Sequence, residues 1–117
     1  MNLDSAISAH VEWKAKLQSA ATSQWQLDAA TISKDNFCPL GQWLHGEAKH
    51  KYGRLGAYRE SVAAHAAFHR EAGKIATLIN KKKYQAAATA LEAGGPYSAA
   101  SSALVAAIDE LKKEAAL

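Results

Sequence analysis

Five histidines and a single cysteine are the residues of this 117-residue chain whose chemistry stands out. His65 and His69 are four apart, so on a helix they project from one face, one turn apart. Cys38 stands immediately before Pro39 in the stretch Asp35-Asn36-Phe37-Cys38-Pro39-Leu40-Gly41-Gln42-Trp43-Leu44. Proline is favoured at the first position of a helix, where its missing N–H is not needed, so Cys38 is expected at or beside an N-cap. Imidazole nitrogen and thiolate sulfur are donors that Zn²⁺ prefers, four in a tetrahedron, with Zn–N near ~2.0–2.1 Å and Zn–S near ~2.3 Å. His10, which falls on an apolar stripe upstream, completes a candidate ligand set of His10, Cys38, His65 and His69. A helix N-terminus and a metal would each favour the thiolate form of Cys38.

Spacing alone leaves a second reading open. His65 and His69 could be hydrogen-bonded core or surface residues, His10 incidental, and Cys38 a small buried apolar residue. His45 and His50 are five apart in a charged segment and point to different faces. Both are expected to be exposed, although either could replace one of the four candidates. The stronger observation is that two imidazoles interrupt an otherwise apolar helical seam, where a polar group without a partner is costly.

The elements that must position these residues are helical. Alanine is abundant, β-branched residues are few, and apolar residues recur at helical spacing without strand-like alternation. The first helix is expected to start at Asp4 or Ser5, either of which can cap it, and to run to about Trp25 or Asp28. Its stripe reads Ala6, His10, Trp13, Leu17, Ala20, Gln24, Leu27. Residues Ala29 to Asn36 read as a connection, followed by a short helix from Pro39 that Gly46 ends. A basic, glycine-bearing segment leads from Glu47 to Gly56. The longest helix then carries the seam Leu55, Tyr58, Val62, His65, His69, Ala72, Ala76, Ile79. A turn over Asn80 to Lys83 precedes a short helix from Tyr84 to Ala93. The last helix opens at Pro96 and runs to about Lys113, with Leu104, Ala107, Ile108 and Leu111 on its seam. This predicts an all-α fold, an antiparallel four-helix bundle with an additional short helix carrying the cysteine, in one domain over residues 1–117.

Composition narrows the function classes. No apolar run is long enough for a transmembrane helix, and the N-terminus lacks a basic region followed by an apolar block, so a cytoplasmic home is expected. A lone cysteine forms no internal disulfide. The net charge of +3 is mild, and Lys81-Lys82-Lys83 is the basic run. That run reads as a solvated corner between helices, not as a nucleic-acid surface, because aromatics do not interleave with the basic residues.

Several of these stretches carry a resemblance. Cys38-Pro39-Leu40-Gly41-Gln42-Trp43-Leu44 resembles the C-x-L-G-x-W signature of the chemoreceptor zinc-binding (CZB) domain family. His10 with Trp13-Lys14 is similar to that family's first-helix element, and His65-Ala66-Ala67-Phe68-His69 to its H-x-x-F-H element. Gly94-Gly95-Pro96-Tyr97 followed by Ser101 looks like its C-terminal helix. The resemblance implies a cytoplasmic bacterial helical bundle binding Zn²⁺ through His10, Cys38, His65 and His69. It further implies a homodimer working with a chemoreceptor or a diguanylate cyclase, here in trans as a stand-alone member. It also implies that Cys38 senses hypochlorous acid.

Four protein ligands leave no open metal position and no H-E-x-x-H glutamate is present, so an enzyme is not expected. Two signals remain, zinc availability and oxidation of Cys38, which, on the shortest and least anchored helix, would be the ligand that lets go. Zn²⁺ with one thiolate and three neutral imidazoles carries a net positive charge, and a carboxylate or carbonyl is wanted on the outer imidazole N–H groups. Asp35 and Glu71 are the candidate carboxylates. The competing readings are a metal-free helical interaction module and a di-iron bundle of the hemerythrin type. The second needs inward carboxylates that these seams lack.

Overall fold

The helical periodicity is realised as eight helices and no strand in the computed structural model, which describes residues 1–117. They are α1 (Leu3–Val11), α2 (Trp13–Ser23), α3 (Ala29–Ile32), α4 (Pro39–His45), α5 (Glu47–Tyr52), α6 (Gly56–Asn80), α7 (Tyr84–Ala90) and α8 (Pro96–Glu114). The all-α expectation holds.

α6 is the axis of the molecule. Its 25 residues span about 37 Å at 1.5 Å per residue, most of the 43 Å long dimension. Of the seam read from the sequence, Tyr58, His65, His69, Ala72, Ala76 and Ile79 are buried. Ala57, Ser61, Phe68, Gly73 and Ile75 are buried as well, because α6 is covered by α8 and also by α2, α3, α4, α5 and α7. One apolar stripe was therefore too narrow an expectation for a helix packed on several sides.

α8 lies antiparallel to α6. Ser61 Oγ donates to the Ala107 carbonyl at 3.1 Å and to its own Ala57 carbonyl at 2.7 Å. Further along, Phe68 packs on Tyr97 with ring centroids 5.5 Å apart. Leu104, Ile108 and Leu111 fill the seam between the two helices. The pair α1–α2 runs beside α6 in the same sense. Asp4 meets Lys112 at one end, and Leu27 meets Asn80 at the other, where the Asn80 amide bonds both the N–H and the carbonyl of Leu27 at 2.7 Å.

The boundaries differ from expectation in ways the local chemistry explains. Asn2, not Asp4 or Ser5, caps α1, its side chain accepting from the Ser5 N–H at 3.0 Å. The first helical stretch is interrupted at Glu12, which keeps right-handed helical backbone, so the rod continues. It ends at Ser23 because Gln24 turns left-handed (φ 58°). That turn throws Trp25 into solvent, 56% exposed.

Two segments read as connections are helical. Asp28 caps α3 by accepting from Thr31 N at 3.2 Å and Thr31 Oγ1 at 2.8 Å. α5 carries the i,i+4 pair Glu47–Lys51 at 2.6 Å and buries Ala48. α7 is only two turns long and stops at Ala90, short of Ala93. Pro39 and Pro96 occupy first-turn positions as expected, and Gly46 follows α4.

Candidate metal centre

Cys38 is the N-cap residue of α4, with extended backbone (φ −88°, ψ 158°), and its Sγ accepts from the Gly41 N–H at 3.4 Å. Gly41 is required by a close approach. A Cβ there would lie 1.6 Å from the Asp35 carbonyl oxygen and 3.1 Å from Cε1 of His65. The missing side chain lets the segment before Cys38 fold over the first turn of α4, and lets that turn lie against the His65 ring. Leu40 and Leu44 bury the other face of α4, and Tyr58 Oη donates to the Leu44 carbonyl at 2.6 Å. α4 is thus neither the shortest helix nor loosely held. α3 and α5 are shorter, and two buried leucines plus a buried hydrogen bond anchor α4 to the core.

The histidines come from two rods. His65 and His69 point from α6, one turn apart, and His10 points from the last turn of α1. They are 0%, 4% and 5% exposed respectively. The four sequence candidates converge, with their donor atoms all within 4.8 Å of one another. Nε2 of His65 lies 3.2 Å from Nε2 of His10 and 3.0 Å from Nε2 of His69. Sγ of Cys38 lies 3.7, 3.2 and 3.6 Å from Nε2 of His10, His65 and His69. Tetrahedral zinc bond lengths imply edges of roughly 3.3 Å between nitrogens and roughly 3.6 Å between sulfur and nitrogen. These five edges fall around those values and the sixth, between His10 and His69, lies within 4.8 Å, so the four donors converge on one small four-coordinate site.

Proton accounting supports a cation at the centre. His10 Nδ1 faces the Ala6 carbonyl at 2.7 Å and His69 Nδ1 faces the Ile32 carbonyl at 2.9 Å. A carbonyl only accepts, so both Nδ1 atoms carry the proton and both Nε2 atoms are bare lone pairs. Without a metal, the lone pairs of His10 and His69 depend on one proton each from His65 Nε2, at 3.2 Å, and Cys38 Sγ, at 3.6 Å. A cation satisfies all four at once. His65 Nδ1, buried on the outer side of its ring, has no hydrogen-bond partner.

Burial also keeps the imidazoles in the metal-binding form. His65 is lowered to about 3, first by desolvation and then by His69 and His10. His10 and His69 are lowered by the same desolvation, opposed by their carbonyl hydrogen bonds. Cys38 departs from the sequence expectation. Burial pushes its thiol up and outweighs the N–H groups of Gly41 and Leu40 that pull it down. The helix N-terminus by itself does not make this thiolate; a cation among the four donors would.

Neither expected carboxylate is hydrogen-bonded to an imidazole of the cluster. Asp35 Oδ2 is paired with His45 Nε2 at 3.0 Å, and Glu71 with Lys74 at 3.0 Å. The outer partners are the backbone carbonyls of Ala6 and Ile32. Reasoning from the sequence passed over both, although Ala6 stands four residues before His10 on the same helix. His45 and His50 are exposed and take no part in the cluster. No carboxylate is among the converging atoms, which is the wrong donor set for a di-iron centre.

One side of the site opens outward. A groove of about 460 Å³ between α1 and the start of α4 has Cys38 and His10 on its wall, with Met1, Trp13, Pro39 and Leu40 around them. No helix is long and apolar enough to cross a membrane.

The family model described as the chemoreceptor zinc-binding domain matches residues 10–76. That stretch begins at His10 and contains Cys38, His65 and His69; α7 and α8, with the Gly94–Ser101 element, lie outside it. No curated protein and no solved structure matches the chain. The match covers more than half of the 117 residues, and the chain belongs to the chemoreceptor zinc-binding domain family.

Proposed function

We propose that this chain is a regulatory domain, not an enzyme, in which one Zn²⁺ is held by His10, Cys38, His65 and His69 and in which gain or loss of the Cys38 bond is the signal. The observation that carries this reading is the convergence of three Nε2 atoms and one Sγ, all within 4.8 Å of one another. Four protein donors leave no position for a water or substrate, which disfavours hydrolytic chemistry. The metal's contribution is a crosslink that ties α1, α4 and α6 together, so occupancy biases their packing.

Two inputs act on the same link. Scarcity of zinc empties the site. Oxidation acts on Cys38 alone, and the groove beside it gives a small oxidant a path to the sulfur. With hypochlorous acid, the sulfur gives an electron pair to chlorine and hydroxide leaves. Water then replaces chlorine on sulfur, releasing chloride and a proton and leaving a sulfenic acid. Sulfur loses two electrons and chlorine gains two. The oxidised sulfur is a poorer donor, while the three imidazoles are unchanged. The downstream partner in this reading is a second copy of the chain together with a chemoreceptor or diguanylate cyclase in a cytoplasmic setting.

Metal content and mass of natively purified protein test the reading. The expected result is one zinc per chain, lost when Cys38→Ala is combined with His65→Ala. A stoichiometric dose of hypochlorous acid is expected to add one oxygen at Cys38. Protein that takes up no zinc when offered it would sink the proposal.

A further inference from the structure

Cys38 is held from a distance by a contact that lies outside the metal centre. Asp35 touches both ends of α4. Its backbone carbonyl fills the notch at Gly41 in the first turn, where a Cβ would come within 1.6 Å. Its carboxylate Oδ2 takes a hydrogen bond from Nε2 of His45, the last residue of α4, at 3.0 Å. Cys38 follows Asp35 by three residues, so anchoring residue 35 restricts where Sγ can lie. Lys34, Asn36 and Phe37 are exposed, and none of them has a side-chain hydrogen bond to another element. Asp35 is the tie between this segment and α4.

We propose that the Asp35–His45 pair is a clasp that positions Cys38 in the metal centre and sets how readily its sulfur is released. The inference rests on the zinc reading above and names two positioning residues for it. The charge of Asp35 acts on the site as a whole. Zinc with one thiolate and three neutral imidazoles leaves one positive charge, and a nearby carboxylate offsets it. Asp35 is the carboxylate whose field favours positive charge at His65 and His69, while at Cys38 the same field opposes the thiolate. The clasp is also removable without disturbing the core, because the His45 side chain is 44% exposed.

The test compares zinc-loaded wild-type protein with His45→Ala, His45→Gln, Asp35→Asn and the His45→Ala/Asp35→Asn double variant. The readouts are the alkylation rate of Cys38 by iodoacetamide, zinc affinity by chelator competition, and the sulfur-to-metal absorption band after Co²⁺ replacement. His45→Ala is expected to raise the alkylation rate about tenfold, the order seen when a contact that orients a metal ligand is lost. His45→Gln, which keeps an N–H for the carboxylate, is expected to recover most of that loss. The double variant is expected to be no worse than the worse single one, since both remove one contact. Unchanged helical content and a retained Co²⁺–sulfur band separate faster release from misfolding. Variants that bind one zinc yet react within about twofold of wild type overturn the clasp alone, as do single effects that multiply. A wild-type chain that binds no zinc overturns both this inference and the reading beneath it.

Discussion

His69 Nδ1 donates to the carbonyl of Ile32 at 2.9 Å, and this bond makes the one-turn helix α3 part of the metal centre. The approach depends on Gly73, one turn beyond His69 on α6. A Cβ at Gly73 would lie 2.5 Å from Cβ of Ser33 and 3.0 Å from its Cα. A glycine inside α6 thus lets the chain at 32–33 come close enough for its carbonyl to orient an imidazole.

Gly73→Ala is therefore expected to push α3 off α6 and break the Ile32–His69 bond. Overpacking of this kind costs about 1–3 kcal/mol, and loss of a ligand's outer partner weakens metal binding by about 10–100-fold. Urea unfolding and chelator competition read the two effects separately. An alanine variant with wild-type zinc affinity would show that the carbonyl does not orient His69.

Removal of the metal is expected to loosen the α1–α4–α6 corner and to spare the α6–α8 seam. That seam is apolar through Leu104, Ile108 and Leu111 and is crossed by the Ser61–Ala107 bond, with none of the four metal donors on α8. Free zinc at a thousandfold above its Kd stabilises a folded chain by about 4 kcal/mol. Hydrogen exchange on chelated protein is expected to accelerate in α1, α3 and α4 and to stay slow in the middle of α6 and α8. Uniform loss of protection would mean that the metal holds the whole fold.

The parts of this arrangement that were readable in the sequence are those that local spacing decides. His65 and His69 share a face because four residues make about one turn, and Pro39 starts a helix because of its own ring. α3 and α5 were missed because a four-residue and a six-residue helix have almost no stability of their own. Asp28, the Ile32–His69 bond and the burial of Ala48 hold them. The Ile32 carbonyl was equally hidden, since it follows from the chain approach at Gly73 between segments far apart in sequence, whereas Ala6 lies one turn before His10. At Cys38 the N-terminal N–H groups lower the thiol as expected, but burial outweighs them. An N-cap position is local, but the burial that overrides it is tertiary.

Acid is expected to destabilise the metal-free protein. His65 sits at about 3 in the fold against an ordinary 6.5, and His10 and His69 are lowered too, all chiefly by burial. Below pH 6.5 the unfolded chain binds protons that the folded one refuses, so the stability present above that pH is lost as pH falls from 6.5 toward 3. Urea midpoints of chelated protein are expected to be lower at pH 5 than at pH 7, with a smaller gap in His65→Gln. Equal midpoints at the two pH values would contradict the buried, neutral state of these rings.

Tyr97 offers a substitution expected to help. It is 3% exposed, its hydroxyl has no hydrogen-bond partner, and burial raises its phenol to about 12. Its ring packs on Phe68, which in turn lies edge-on to His10 and His69 with centroids 5.2 and 5.5 Å apart. Tyr97→Phe keeps that ring contact and removes a buried polar group whose unmet hydrogen bond costs about 1–3 kcal/mol. The variant is expected to unfold at a higher temperature than wild type, by part of that amount, with zinc affinity unchanged. A drop in melting temperature would mean that the hydroxyl is satisfied in solution, by a trapped water or a small shift of α8.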